Sequence, residues 1–381
     1  MKKTKFRVLV TAAGSGATGN LVRALRALTP APHIVGVNHD RFTLTQSSAD
    51  RNYLGPAVAT NEFIDSVLDV VRRERINVVV PTDDDVVKAL SDARARFPFR
   101  LLLPARATID LCQDKLALNE FFRARGIPAP RTYPVRSLRD LERIFARFPQ
   151  GDLLWCRSRF GARSLGATSV LTVEQARAWI GLWRDVRGVA VSDFTLGEYL
   201  PGRHYLVNSV WCEGALLRAQ PTEMLAYFAA GNNPSGIFSL SSLAKTVVAE
   251  EPLRIALDAV RALERRPHGA FSVELKETVQ GVPAITEINA GRFPAGITAL
   301  LAIGHDNMLG VYASAAVGKA VAAAEPMGST EEHYLVRDID SQPGVLSAAE
   351  LQLRDRTVRR LNSRQPRVIV SEPIVSGVLR R

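Results

Sequence analysis

Cysteine is scarce. Cys112, Cys156 and Cys212 are the only three in 381 residues, and none forms a C-x-x-C pair. That excludes a disulfide framework or a structural zinc site as the organising element, and it sets the expectation of a reducing, cytoplasmic compartment. Long apolar runs are also missing. No stretch approaches the roughly 18 residues of a membrane span, and Lys245, Arg254 and Lys319 interrupt the richest apolar stretches of the C-terminal half, so no membrane partner is expected. The start Met1-Lys2-Lys3-Thr4-Lys5 has the charge of a secretory leader, but the run Val8 to Ala13 is broken by Thr11 and passes into glycines, which reads as a strand. With 26 Gly and 21 Pro, the chain is neither collagen-like nor linker-dominated.

What is present is an ordinary globular composition, long enough for two or three domains. The 49 basic and 38 acidic residues leave a formal charge of +11, which favours anionic partners such as nucleotides and acidic metabolites. The arginines are scattered, with no basic block or groove-reading module, so nucleic acid is not an expected partner and part of the excess reads as solvated surface.

Residues 6 to 90 alternate as in a parallel α/β sheet. Phe6 to Val10, His33 to Val37 and Asn77 to Val80 read as strands, and Asn20 to Leu28, Glu62 to Glu74 and Asp85 to Arg94 as amphipathic helices, which makes a doubly wound module. From Ile109 one helix is expected to run through Lys115 and Phe122 to a stop at Gly126, with Pro128 and Pro130 beyond it. Two strands, Leu153 to Arg157 and Ala167 to Thr172, then flank the polar loop 158–166, and a helix covers Glu174 to Arg184. Strands dominate from Val189 to Gln220. A helix spans Glu251 to Glu264, a hairpin Ala270 to Asn289, and another helix follows Asp306. The last fifty residues alternate weakly.

Gly14-Ser15-Gly16-Ala17-Thr18-Gly19 fits G-x-G-x-x-G between a strand and a helix, with Asp40 twenty-one residues past Gly19. That is the dinucleotide fingerprint and predicts an NAD(P) enzyme. A tight turn in a Rossmann-like module without nicotinamide fits the same residues.

The hairpin near residue 280 is the most informative stretch. A two-residue turn at Gln280-Gly281 would set Glu274 opposite Glu287 and Ser272 opposite Asn289, with Phe271, Val273, Leu275, Thr286 and Ile288 on the other, mainly apolar face. Facing carboxylates destabilise a sheet and raise each other's pKa unless something positive lies between them. Two glutamates and an asparagine offer oxygen ligands, and Mg²⁺ takes a few carboxylates together with substrate phosphates. For an isolated hairpin, a solvated face diluted by Lys276 is the plainer reading. The surroundings favour the metal: Arg292 follows, and Arg157, Arg159 and Arg163 lie on a Gly-containing loop able to wrap phosphates. Lys115 stands out because lysines number eight against forty-one arginines, although an exposed helical lysine paired with a nearby acid also fits.

The order Asp114-Lys115, Gly126-Ile127-Pro128-Ala129-Pro130, Arg157 before a Gly-rich loop, Glu198-Tyr199-Leu200-Pro201-Gly202, Gly269-x-x-x-Val273-Glu274, and Glu287-Ile288-Asn289 with Arg292 resembles the ATP-grasp superfamily. It looks closest to the carbamoyl-phosphate synthetase large-chain-like carboxylate–amine ligases, and Ile76 to Asp85 is similar to their N-terminal domain. The resemblance spans roughly residues 6 to 318 and implies an α/β ATP-grasp fold. Its parts would be a Rossmann-like pre-ATP-grasp domain over 1–108, a connecting helix over 109–126, a small α+β lid over 127–196, and a C-terminal antiparallel-sheet α+β subdomain with the metal site over 197–325. Residues 326–381 would form an extension.

The resemblance also implies roles. Lys115 and Arg157 would contact ATP phosphates under the 158–166 lid loop, which includes Arg159, Gly161, Arg163 and Gly166. Glu198, Tyr199 and Leu200 would read adenine. Glu274, Glu287 and Asn289 would hold Mg²⁺, two ions or Mn²⁺ in their place, and Arg292 with Arg157 would steady the transferring phosphoryl group. Two features depart from the pattern: His204 stands where many relatives place a ribose-binding acid, and Asn289-Ala290-Gly291-Arg292 is one residue longer than the usual Asn-Pro-Arg. His204 fits either a ribose contact or an exposed strand position. The implied reaction activates a small carboxylate as an acyl phosphate for attack by an amine, and the implied oligomer is a homodimer. The rival expectations are an NAD(P)-dependent oxidoreductase using Gly14 to Gly19 and a non-catalytic ATP-binding module.

Overall fold

The computed structural model describes residues 6–161, 164–228, 240–294, 296–303, 307–321, 329–338 and 344–357. Three sheets follow one another along the chain. The first is parallel, in the order β3-β2-β1-β4, from β1 (Arg7–Val10), β2 (His33–Asn38), β3 (Arg51–Leu54) and β4 (Val78–Val80). Its connections carry α1 (Gly16–Arg26), α2 (Arg41–Leu44) and α3 (Phe63–Arg73), and α4 (Asp84–Asp92) follows β4. Alternate residues of β1 enter different cores, as a strand covered on both faces requires. Leu9 packs with Val67, Val71 and Leu90, whereas Val8 and Val10 pack with Leu21 and Leu25.

The glycine-rich turn is shorter than expected, because α1 starts at Gly16. Ser15 caps it by accepting the Thr18 N–H at 3.3 Å. Gly14 has φ +89°, and a Cβ there would lie 1.8 Å from the Thr43 carbonyl oxygen, so α2 fills the space beside the turn.

The expected helix from Ile109 to Gly126 is two helices, α5 (Arg106–Gln113) and α6 (Lys115–Arg123). Asp114 breaks it with φ −100° and ψ 96°, and its carboxylate accepts the Leu116 and Ala117 N–H groups, restarting the helix as an N-cap.

The second sheet, in the order β5-β8-β6-β7, is antiparallel: β5 (Thr132–Pro134), β6 (Leu154–Ser158), β7 (Thr168–Val170) and β8 (Phe194–Glu198). Its own core lies under α7 (Leu141–Phe145) and α8 (Val173–Arg187), around Leu141, Ile144, Ile180, Phe194 and Leu196.

The third sheet is antiparallel, in the order β13-β12-β9-β10-β11-β14-β15. It comprises β9 (His204–Cys212), β10 (Ala215–Tyr227), β11 (Ser241–Thr246), β12 (Gly269–Glu277), β13 (Pro283–Ala290), β14 (His333–Val336) and β15 (Gly344–Ser347). The weakly alternating C-terminal segment therefore adds strands to its edge. One face packs on α6 and α9 (Glu250–Leu263) through Phe122, Ile255, Val260, Phe271, Val273 and Ile288. The opposite face meets the first sheet across α10 (Met308–Ala316). There Leu206, Val210, Tyr312 and Phe293 share a core with Val8, Val10 and Leu25, and Tyr312 Oη donates to the Val79 and Leu102 carbonyls at 3.1 Å each. The first and third sheets are thus joined by continuous packing, each buried large apolar side chain contributing roughly 1.5–3 kcal/mol. The described part of the chain closes with α11 (Ala348–Thr357).

Candidate active site

Where the three sheets converge lies a cavity of about 880 Å³. Its floor is the hairpin β12–β13. The expected two-residue turn is instead a three-residue loop, Val279-Gln280-Gly281, closed by the Thr278 N–H on the Val282 carbonyl at 2.9 Å, with Gly281 at φ +79°. An odd loop alone would put the two glutamates on opposite faces. A bulge at Thr286 supplies one extra residue, so Leu275 pairs with Ile285 while Glu274 still pairs with Glu287 and Ser272 with Asn289. The bulge also corrects the apolar face, which takes Ile285 where Thr286 was expected. The Thr286 carbonyl, freed from the ladder, accepts Arg157 Nη2 at 2.9 Å.

The facing acids have different neighbours. Glu287 lies 3.6 Å from Lys115 Nζ, whose ammonium also donates to the Gly161 carbonyl. Burial raises its carboxyl above the usual range and Glu274 adds to this, outweighing Lys115 and Arg157. Glu274 has His204 Nε2 at 3.6 Å. Burial works to raise Glu274 as well, but the His204 contact, with Arg292 and Arg157 nearby, holds it below the usual range. Arg292 is gripped by Asp84 at the start of α4, with Nε at 2.5 Å and Nη2 at 3.0 Å from its two oxygens, and it also donates to Asn289 Oδ1. Between Asn289 and Arg292, Gly291 adopts φ +91°, and a Cβ there would meet Val87 at 2.8 Å, so this segment is seated against α4.

The cavity brings together Lys115, Arg157, Gly161, Glu198, Tyr199, Leu200, His204, Glu274, Glu287, Asn289 and Arg292. It does not gather every expected residue. Arg159 turns to Asp114, with Nε at 2.7 Å from Oδ1 and Nη2 at 2.5 Å from Oδ2. Gly166 serves packing, because a Cβ there would lie 2.7 Å from the Phe194 ring. Arg163 lies outside the described residues. Glu198 lines the cavity, but its carboxylate accepts the Arg131 N–H at 2.7 Å and Nε at 3.0 Å, so its oxygens are already engaged within the protein. His204 is a largely buried strand residue whose Nδ1 meets the Tyr227 hydroxyl.

Asp84, Lys276, Trp155 and Tyr227 also line the cavity and were not among the site residues expected from the sequence, where Lys276 figured only as a charge diluting a solvated face. Asp84 had a signal: it follows the C-terminal end of a parallel strand next to β1, where open α/β sheets present ligand crevices. Lys276 shares the Glu274 face by strand periodicity, and burial pushes its ammonium down to about 8.

Among the described residues no group of three or more His, Cys, Asp or Glu side chains gathers as a metal cluster. Two carboxylates and an amide oxygen suit a hard cation that completes its shell with phosphate oxygens and water. The dinucleotide fingerprint is differently engaged: Ser15 caps α1, and the Asp40 carboxylate caps α2 by accepting the Phe42 N–H at 2.9 Å and the Thr43 hydroxyl at 2.5 Å. Among the described residues no helix is long and apolar enough to cross a membrane.

No protein-family model and no curated protein matches this chain. Solved structures do. The biotin carboxylase domain of 2-oxoglutarate carboxylase from Hydrogenobacter thermophilus, solved with MgADP, ADP and bicarbonate, superposes with a TM-score of 0.67 at 13% identity, covering 88% of this chain and 75% of that one. An L-amino acid ligase from Bacillus licheniformis gives 0.63 at 13% identity, covering 88% and 80%. The carboxyaminoimidazole ribonucleotide synthase of Aspergillus clavatus, complexed with ATP, gives 0.64 at 15% identity, covering 87% and 81%. With a parallel N-terminal sheet, a small antiparallel sheet and a large antiparallel sheet matching these structures, the fold of this chain is the ATP-grasp fold.

Proposed function

We propose that the protein is an ATP- and Mg²⁺-dependent ligase that joins a small carboxylate to an amine. The observation that carries this reading is the juxtaposition of Glu274, Glu287 and Asn289 with Lys115, Arg157 and Arg292 on the wall of one cavity. Mg²⁺ held by the first three would neutralise phosphate charge. In the proposed reaction a carboxylate oxygen of the substrate attacks the γ-phosphorus and the bond to ADP breaks. The amine then attacks the acyl carbon, phosphate leaves with its bonding pair, and the amine loses a proton. Negative charge gathers at the phosphoryl group, so the site needs fixed cations and donors more than a nucleophilic side chain. Lys115 and Arg157 stand beside Glu287 for this purpose, and Asp84 and Asn289 fix the Arg292 guanidinium before substrate arrives.

The test is an ADP-release screen over amino acids and other small carboxylates, with and without amines. Support would be ADP formation that requires Mg²⁺ and one carboxylate and gains a C–N-bonded product when an amine is added. ATP binding with no ADP formed across the panel would favour a nucleotide-binding module, and absence of ATP binding would end the reading.

A further inference from the structure

The end of the cavity away from the first sheet is lined by rings. Trp155 and Tyr199 lie with centroids 6.2 Å apart, His204 and Tyr227 stack at 5.9 Å, and Leu200 adds an apolar wall. Flat apolar surfaces of this kind suit the nucleoside half of a nucleotide, and the polar groups among them decide how it is read. Glu198 is committed to Arg131. His204 is committed on one nitrogen to Tyr227, and on the other it faces Glu274.

Lys276 remains. It enters from β12 directly across from His204 on β9, with its ammonium 5.7 Å from the Tyr199 ring centroid. Two other cations of the cavity have carboxylate partners, Lys115 in Glu287 and Arg292 in Asp84. Among the described residues no carboxylate lies within ion-pair distance of Lys276. A largely desolvated ammonium with three N–H donors, held over the Tyr199 ring and without a carboxylate partner among the described residues, is costly, and a ligand acceptor relieves that cost. Position selects which part of the ligand. Lys276 lies two residues along the strand from Glu274, about 6.6 Å towards the Glu198–Leu200 segment, whereas Lys115 and Arg157 gather on the Glu287 side.

We propose that Lys276 is a nucleotide-binding residue that donates from Nζ to an oxygen or ring-nitrogen acceptor on the nucleoside half of ATP, so that a cation reads this end of the site. The inference rests on the ATP reading above and adds the residue that recognises the nucleoside.

Calorimetric titration of the full chain with ATP and with inorganic tripolyphosphate, both with Mg²⁺, tests it in the native protein, Lys276→Met and Lys276→Arg. Lys276→Met is expected to weaken ATP at least tenfold and to leave tripolyphosphate within twofold, with Lys276→Arg recovering most of the ATP affinity. Should Lys276→Met fail to fold, Lys276→Gln provides the same comparison. Unchanged ATP affinity in the Met or Gln variant overturns the proposal, as does an equal loss for tripolyphosphate, which would place the ammonium on the phosphates. Failure of the native protein to bind ATP at all would sink the nucleotide reading itself, whereas native binding with an indifferent variant sinks only the role of Lys276.

Discussion

Replacing Glu287 by Gln should move the free and nucleotide-bound protein in opposite directions. At an effective dielectric of about 20, Lys115 at 3.6 Å attracts the Glu287 carboxylate by about 4–5 kcal/mol. Glu274, directly across the strand pair at a typical separation of about 5 Å, repels it by about 3 kcal/mol. Together they leave about 1–2 kcal/mol of net attraction, and burial outweighs it against the charge, as the raised carboxyl shows. Glu287→Gln removes charge while keeping shape, so the unliganded protein should be unchanged or up to about 2 kcal/mol more stable. Loss of one of two carboxylates facing a divalent cation should weaken MgATP binding at least about a hundredfold, or about 2.7 kcal/mol. Urea unfolding with and without MgATP, alongside calorimetric titration, reads both effects. A variant that is more than about 2 kcal/mol less stable when free, yet as strongly stabilised by MgATP as the native protein, would refute the reasoning.

Three further outcomes follow from the same geometry. Asp84→Ala strips Arg292 of its two-oxygen partner in a largely buried setting and should cost about 2–4 kcal/mol in urea unfolding; ADP formation should fall about a hundredfold in kcat with a smaller change in KM, and equal shifts in both would argue against positioning. Gly14→Ala should destabilise by at least about 2 kcal/mol because its Cβ would strike the Thr43 carbonyl at φ +89°, while Gly16→Ala, with nothing within 4 Å, should stay within about 0.5 kcal/mol; equal effects in urea would show that the turn is not packed as described. A thiol reagent should label Cys212 and spare Cys112 and Cys156, which are buried and whose thiols burial pushes far up; rapid labelling of all three in the native protein would contradict that packing.

The sequence was most legible where local pattern and tertiary demand agree. Val8-Leu9-Val10 is apolar throughout because both faces of β1 are covered, and the amphipathic stretch at Glu62 to Glu74 became α3 with its ends shifted by one residue. The pairing of Glu274 with Glu287 was readable from a period of two, but for an incomplete reason: the turn is odd, and the bulge at Thr286 restores the register. Nothing local marks that bulge, since Arg157, 129 residues away, binds the carbonyl it frees. The break at Asp114 escaped because the residue tolerates a helix in isolation; its cap is reinforced by Arg159 from another strand end. Asp84 and Arg292 are 208 residues apart and meet only when the first and third sheets share a core. The strands β14 and β15 were obscure because they are short and their pattern is completed by β11.

The most direct measurement is a crystal structure of the full chain grown with MnATP, using the anomalous signal of manganese. The account predicts a manganese peak between the Glu274 and Glu287 carboxylates and Asn289 Oδ1, bridged to phosphate oxygens, with Arg292 still held by Asp84. Bound nucleotide with no manganese there, and the two glutamates turned apart into solvent, would contradict it.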